Sequence, residues 1–169
     1  MSQGHICYAS HDDHYVLKFT GEIRCQLGCT FDRFLDELFN QVKLAKIVLD
    51  LSEAEMIDST CLGLLARVAN KMRETTNQKT TIISTKADIN QVLESIGFDQ
   101  VFNISTQPLP PLEGETCLTI NESDTSCMAD TVLSAHRLLS EISEENREVF
   151  HDVIETLESE LEKDTQSEK

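Results

Sequence analysis

One stretch of the chain, "IVLDLSEAEMIDSTCLGLLARVANKM" at residues 47–72, decides the fold. It opens with a short, nearly continuous apolar run that ends near Leu51, which is typical of a β-strand covered on both faces. A polar segment, "SEAEMI", follows and is predicted to be a loop. From residue 60 onward, apolar residues recur at steps of three and four, which indicates an amphipathic helix. Asp58, Ser59 and Thr60 therefore stand together where a helix is predicted to begin.

The segments on either side continue the alternation of strand and helix. Two strands, 5–10 and 14–21, surround a polar turn, and Gly21 is predicted to end the second. Helices are predicted at 29–44 and 87–97, with Val42 on the apolar face of the first and Gly97 as a C-terminal cap of the second. Strands are predicted at 79–86 and, as a short strand or extended segment, at 98–105. This order predicts an α/β fold with a mostly parallel sheet, an N-terminal antiparallel strand and a covering of helices.

The charge is unevenly distributed, and this predicts two parts. Residues 1–107 carry 14 acidic and 10 basic groups, a net charge of −4, whereas residues 108–169 carry 16 and 4, a net charge of −12. All three prolines lie within 108–111, where they favour a stiff, extended chain. We predict a domain at 1–107, an acidic proline-containing linker at 108–125, an acidic helical segment at 126–163 and a disordered tail at 164–169.

The segment at 126–163 is amphipathic. Its apolar residues recur at three- and four-residue steps, and Asn146 interrupts the stripe. The segment could form one long helix, or Ser143 could restart it as a hairpin of two helices. Its apolar face could pack on its own domain, mediate self-association, or bind a second effector. Its acidic face argues against membrane association.

Several function classes are disfavoured by the composition and by missing motifs. The net charge of −16 disfavours a nucleic-acid partner, and no apolar run suggests a signal peptide or a membrane span, so we expect a cytoplasmic protein. The six cysteines show no CxxC spacing, so we expect small buried thiols rather than a metal site. His11 and His14 read as a solvated hairpin tip. Because no catalytic or cofactor signature occurs, we expect neither an enzyme nor a cofactor.

The remaining chemical signal is Asp58-Ser59-Thr60. These residue types are preferred N-caps, because a side-chain oxygen accepts a hydrogen bond from a free backbone N–H. The same position suits a reversible phosphate, because free N–H groups and the positive end of the helix dipole attract an anion. Phosphorylation of Ser59, predicted to be exposed, would change the local charge by about −1.5 to −2 beside Asp58.

At these residues the sequence resembles the STAS domains, and most closely the anti-sigma factor antagonists. "LDLSEAEMIDSTCLGLLARV" at 49–68 is similar to the family's apolar strand, short loop, Asp-Ser-Ser/Thr-Gly-Leu-Gly segment and helix. "FTGEI" at 19–23 is similar to its Gly-Glu-Ile/Leu segment. The resemblance covers about residues 5–107 and implies a STAS-type sheet, with the C-terminal helical segment as an extension outside it.

The resemblance also implies a partner switch. The family's phosphorylated serine maps to Ser59, Asp58 to the acid that shapes the site, and Thr60 to a lesser phosphoacceptor. An anti-sigma factor with serine kinase activity would phosphorylate Ser59, and a PP2C-type phosphatase would reverse this. The unphosphorylated form would bind the anti-sigma factor and free the sigma factor.

The expected partner surface around the switch extends over neighbouring residues of both motifs. It comprises Asp58, Thr60, Cys61, Leu62, Gly63, Gly21, Glu22 and Arg24. Two of them depart from the family pattern: Cys61 stands where Gly is common, and Arg24 where many antagonists carry Asp. An alternative is a STAS accessory subunit of a transporter, in which Asp-Ser-Thr only caps the helix.

Overall fold

Six β-strands form one mixed sheet in the computed structural model, which describes residues 2–41, 43–121 and 127–168. The strand order is β5-β4-β3-β2-β1-β6. Strands β2 to β5 are parallel neighbours, whereas β1 pairs antiparallel with both β2 and β6. The predicted mostly parallel sheet with an antiparallel N-terminal strand is therefore confirmed. The bounds are β1 (His5–His11), β2 (His14–Ile23), β3 (Lys46–Ile57), β4 (Thr80–Ile83), β5 (Phe102–Ser105) and β6 (Thr116–Cys117).

Helices connect the strands and cover the sheet, as predicted. They are a 3₁₀ turn (Cys25–Leu27), α1 (Gly28–Gln41), α2 (Ser59–Thr76), α3 (Ala87–Ser95), α4 (Phe98–Val101), α5 (Met128–Ser140) and α6 (Glu144–Ser167). Gly97 follows α3 in the left-handed conformation, with φ of 77°, and its N–H donates to the Glu94 carbonyl at 3.1 Å. None of the helices within the described residues is long and apolar enough to cross a membrane.

Strand β3 is longer than the sequence suggested. The segment "SEAEMI" is not a loop, because Ala54 and Ile57 lie in the core and pair in register with Gly21 and Ile23 of β2. Gly21 does not end β2 either. It adopts φ of 77° at an irregularity in the β2–β3 register, beyond which the strand continues to Ile23.

Four other segments also differ from the sequence-based expectations or lie outside the described residues. Residues 98–101 form a helical turn, so only 102–105 pair as the last parallel strand. Within the predicted linker, Thr116–Cys117 forms an edge strand, and 122–126 lie outside the described residues. Helix α6 continues to Ser167, which makes most of the predicted disordered tail helical. Val42 also lies outside the described residues.

The C-terminal segment forms a hairpin that packs on the first domain. Of the two alternatives, the structure shows the restart at Ser143, whose Oγ accepts from the Asn146 N–H at 3.1 Å. Asn146 is only 3% exposed, and its amide donates to the carbonyls of Ile96 at 2.9 Å and Leu139 at 3.0 Å. The residue that interrupts the apolar stripe is therefore a buried polar anchor between the hairpin and the end of α3.

The cysteines also differ from the expectation that all are simple buried thiols. Cys7 is bonded to Cys117 across the β1–β6 pair, and Cys29 at the start of α1 is bonded to Cys127 before α5. Cys25 and Cys61 are free. Sequence spacing did not predict these pairs, because 110 and 98 residues separate the partners and only the tertiary path brings them together.

Replacing Asn146 by Ala should loosen the hairpin. The change removes the buried amide that donates to the Ile96 and Leu139 carbonyls, although the Leu139 carbonyl keeps the Ile142 N–H at 3.2 Å. The free energy of unfolding should fall by roughly 1–3 kcal/mol. Thermal unfolding followed by circular dichroism measures the effect. The matched control is Asn40→Ala on an exposed part of α1, which should change stability by less than about 0.5 kcal/mol. Equal losses for both variants would contradict the anchoring role.

Candidate functional site

The carboxylate of Asp58 joins the ends of two neighbouring strands. Asp58 is the N-cap of α2, and its Oδ1 accepts from the Cys61 N–H at 3.0 Å. Its Oδ2 accepts from the Cys25 N–H at 2.6 Å, and its own N–H donates to the Ile23 carbonyl at 3.0 Å. Because β2 and β3 are parallel, their C-terminal ends lie at the same edge, and Asp58 fastens the two exits together there.

Ser59 begins α2, and its hydroxyl contacts a residue from outside the first domain. Ser59 Oγ lies 2.9 Å from Nε2 of His136 on α5. Nδ1 of the same ring lies 2.7 Å from the Val132 carbonyl. A carbonyl only accepts, so Nδ1 donates to it. When the ring is neutral, Nε2 therefore accepts from the Ser59 hydroxyl. The predicted exposure of Ser59 is therefore wrong in this structure, because α5 lies over it and leaves it half-buried.

Helix α5 approaches α2 closely at Gly63, one turn after Ser59. A Cβ placed on Gly63 would lie 2.6 Å from the Cβ of Ala135, which itself has no exposed surface. No side chain larger than hydrogen fits at position 63 without moving backbone. This is a physical reason for glycine at a predicted partner-surface position, and it comes from the chain's own α5.

Thr60, Cys61 and Leu62 are buried around this contact. Thr60 is 4% exposed, with its methyl group near Gly28. Cys61 is fully buried, and its Sγ lies 3.3 Å from the Arg24 carbonyl. Burial, followed by the nearby Asp58 carboxylate, raises the pKa of the Cys61 thiol well above its usual value. Cys61 is thus a structural residue between the β2 exit and α2.

The other predicted surface residues lie at the end of β2. The Arg24 side chain, about half exposed, donates through Nε to Glu22 Oε2 at 2.9 Å. Gly21 packs against the N-terminal segment, where a Cβ would lie 2.6 Å from the Gln3 carbonyl oxygen. The structure joins this strand end to the α2 start through the backbone of Arg24 and Cys25.

Sequence reasoning missed the residues of α5 that complete the site. His136 and Thr131 are polar, yet they are 6% and 5% exposed and lie on the side of α5 that meets α1 and α2. The available signal was a histidine four residues after Val132 and three before Leu139, inside an apolar stripe. Periodicity showed which face of α5 is buried but not which surface receives it.

Two groups of histidine and acidic residues outside the site lie on the solvated surface. His11 and Asp12 are 95% and 84% exposed at the β1–β2 turn, in agreement with a hairpin tip. Among the described residues, His151, Asp152 and Glu155 bring ligand atoms within 4.8 Å of one another on α6. All three are exposed and lie outside the site.

Removing the Asp58 carboxylate should destabilise the whole edge. Asp58→Ala deprives the Cys25 and Cys61 N–H groups of their acceptor and removes the N-cap, at a cost of roughly 2–4 kcal/mol. Urea unfolding gives the change in free energy. Asp88→Ala is the control, since Asp88 is an exposed acid in the first turn of α3 and is not its N-cap residue, which is Lys86. A loss below about 1 kcal/mol for Asp58→Ala would refute the bridging role.

The two free thiols should differ in reactivity. Cys25 is half-buried, whereas burial and the raised pKa keep Cys61 protonated and inaccessible. Iodoacetamide at pH 8 should therefore modify Cys25 first, as mapped by mass spectrometry. In concentrated urea both should react alike. Equal rates in the native protein would contradict the placement of Cys61.

The family model described as the STAS domain matches residues 6–108, which is more than half of the chain. The matched segment includes Asp58, Ser59 and all of α2, and it ends before β6, α5 and α6. No curated protein matches the chain. On the family match and the mixed sheet together, the chain belongs to the STAS domain family.

Proposed function

We propose that the protein is an anti-sigma factor antagonist that acts as a phosphorylation-controlled partner switch. Its unphosphorylated form binds an anti-sigma factor with serine kinase activity and thereby frees the sigma factor. Phosphorylation at Ser59 weakens that binding, and a PP2C-type phosphatase restores the binding form.

The observation that carries this proposal is the division of roles between Asp58 and Ser59. Both carboxylate oxygens of Asp58 accept backbone N–H groups, so Asp58 is the residue that caps α2. The Ser59 hydroxyl is bonded to a side chain of another helix instead. Ser59 can therefore be modified without loss of the cap, which supports a switch role beyond simple helix capping.

Burial favours Ser59 over Thr60 as the phosphoacceptor. Thr60 is 4% exposed, whereas Ser59 is half-buried at the first position of α2. A phosphate on Ser59 would be favoured by the N-terminal end of the helix dipole and opposed by the adjacent Asp58. The added charge would alter the surface that a partner contacts while the cap stays in place.

The hydrogen bond between Ser59 and His136 also has the arrangement of a nucleophile and a general base. The His136 ring is only 6% exposed, and it belongs to the helix that covers Ser59. A substrate could reach Ser59 only after α5 had moved, and that movement would take the base away. We therefore propose that Ser59 is a substrate of a kinase and that the protein is not an enzyme.

We place this function in the cytoplasm, where sigma factors and ATP are found. There the Cys7–Cys117 and Cys29–Cys127 pairs would be exposed to a reducing environment that keeps most thiols reduced. Contacts between β1 and β6 and between α2 and α5 would then hold the C-terminal segment without covalent links.

Incubation of the full chain with a purified anti-sigma factor kinase and ATP, followed by phosphosite mapping, tests the proposal. Phosphate should appear at Ser59 and disappear in Ser59→Ala, while Thr60→Val should retain it. Undiminished labelling of Ser59→Ala would overturn the assignment.

Binding to the same anti-sigma factor provides the second readout. Ser59→Asp should weaken the affinity and Ser59→Ala should preserve it. Equal affinities would contradict the switch. Co-purification with a transporter ATPase and no phosphate at Ser59 would instead favour the accessory-subunit alternative.

A further inference from the structure

We propose that α5, braced by α6, is a built-in cover over the Ser59 surface, so that a kinase or binding partner reaches Ser59 only after α5 has left α2. This inference rests on the proposed function for the identity of the partner, but the cover itself is a property of the fold. The family match ends at residue 108, so the cover is an addition to the matched domain.

The first support is the bond that occupies the Ser59 hydroxyl. Its oxygen lies 2.9 Å from Nε2 of His136, and Nδ1 of the ring donates to the Val132 carbonyl at 2.7 Å. A kinase must bring the γ-phosphate of ATP to the Ser59 oxygen, and the His136 ring and α5 now lie over that oxygen. The site must open before the reaction.

The second support is the closeness of the packing. The Gly63–Ala135 contact brings the backbones of α2 and α5 together, and Ala135 has no exposed surface. Thr131 on α5 reaches the same junction, where its methyl group and that of Thr60 both lie within 3.5 Å of a Cβ placed on Gly28. A partner that binds around Gly63 would need the space that α5 now fills.

The third support is the brace that α6 provides. The Phe150 ring packs edge-on against His136, with centroids 5.7 Å apart. Arg137 of α5 donates to Glu158 of α6 at 2.8 Å, and Asn146 anchors the hairpin to the end of α3. The α5–α6 hairpin thus holds His136 in place as one unit. Release of α5 therefore requires these contacts to shift together.

The cover makes partner binding a competition within one molecule. The apparent affinity of the partner is reduced by the fraction of molecules in which α5 is open. A ligand or modification that favours the open state would raise the response of the switch without touching Ser59.

Alkylation of a cysteine at position 59 tests the cover without any partner. In the full-length Ser59→Cys protein, iodoacetamide modification of residue 59 is followed by mass spectrometry, which separates it from the natural cysteines. Adding Ala135→Glu, which forces a charged side chain into the α2–α5 contact, should speed modification at least about tenfold. His136→Ala should speed it by a smaller factor.

The matched control is Val149→Glu, which adds the same charge to α6 at a residue that is 63% exposed. It should leave the rate unchanged. Circular dichroism checks that each variant is folded, and His136→Ala is decisive if Ala135→Glu fails to fold. A rate at residue 59 that neither α5 variant increases would overturn the proposal.

Phosphorylation rates separate this inference from the proposed function. With the anti-sigma factor kinase used above, Ala135→Glu should be phosphorylated at Ser59 faster than the unaltered chain. Val149→Glu should be phosphorylated at the same rate as the unaltered chain. Faster alkylation with no phosphate on any variant would retain the cover and reject the kinase switch. If Ser59 is phosphorylated but neither α5 variant changes the alkylation rate, the kinase switch is retained and the cover is rejected.

Discussion

The carboxylate of Asp58 is the contact on which the candidate functional site depends. It accepts the N–H of Cys25 beyond β2 and the N–H of Cys61 in the first turn of α2. The parallel strands β2 and β3 end side by side, and this carboxylate links the chain segments that follow them. A half-buried charge with two backbone donors fixes them relative to each other, because each N–H would be costly to leave without an acceptor.

This arrangement leaves the neighbouring hydroxyl free for another role. Ser59 lies at the start of a helix whose cap is already formed, so its side chain can change chemically while the helix remains intact. The structure occupies that hydroxyl with His136 from a segment outside the matched domain. The cap at Asp58 and the contact at Ser59 are therefore made by adjacent residues but with separate partners.

Local periodicity predicted most of the first domain, because alternating apolar patterns report directly on strands and helices. It failed where tertiary pairing decided the outcome: residues 52–57 look polar, yet Ala54 and Ile57 extend β3 by pairing with β2. The motif predicted that Asp58 and Ser59 stand together at a helix start, and the cap at Asp58 agrees. The docking of α5 on α2 was not predictable, since an amphipathic stripe shows which face of a helix is buried but not which surface it packs against. Asn146 was predicted to interrupt that stripe, and His136 carried no prediction; their partners on other elements give both a structural role.

The short strand β6 limits how far the C-terminal segment can travel. β5 and β6 lie at opposite edges of the sheet, five strand spacings or roughly 24 Å apart. The ten residues between Ser105 and Thr116 span at most about 40 Å when fully extended, so the proline-containing stretch acts as a strap across the sheet. While β6 remains paired with β1, a released α5 stays tethered close to α2. The effective concentration of α5 at the Ser59 surface is then set by the chain between β6 and α5, and not by the amount of protein in the cell. Under the proposed switch, an external partner must compete with α5 at that fixed local concentration through its own affinity and concentration.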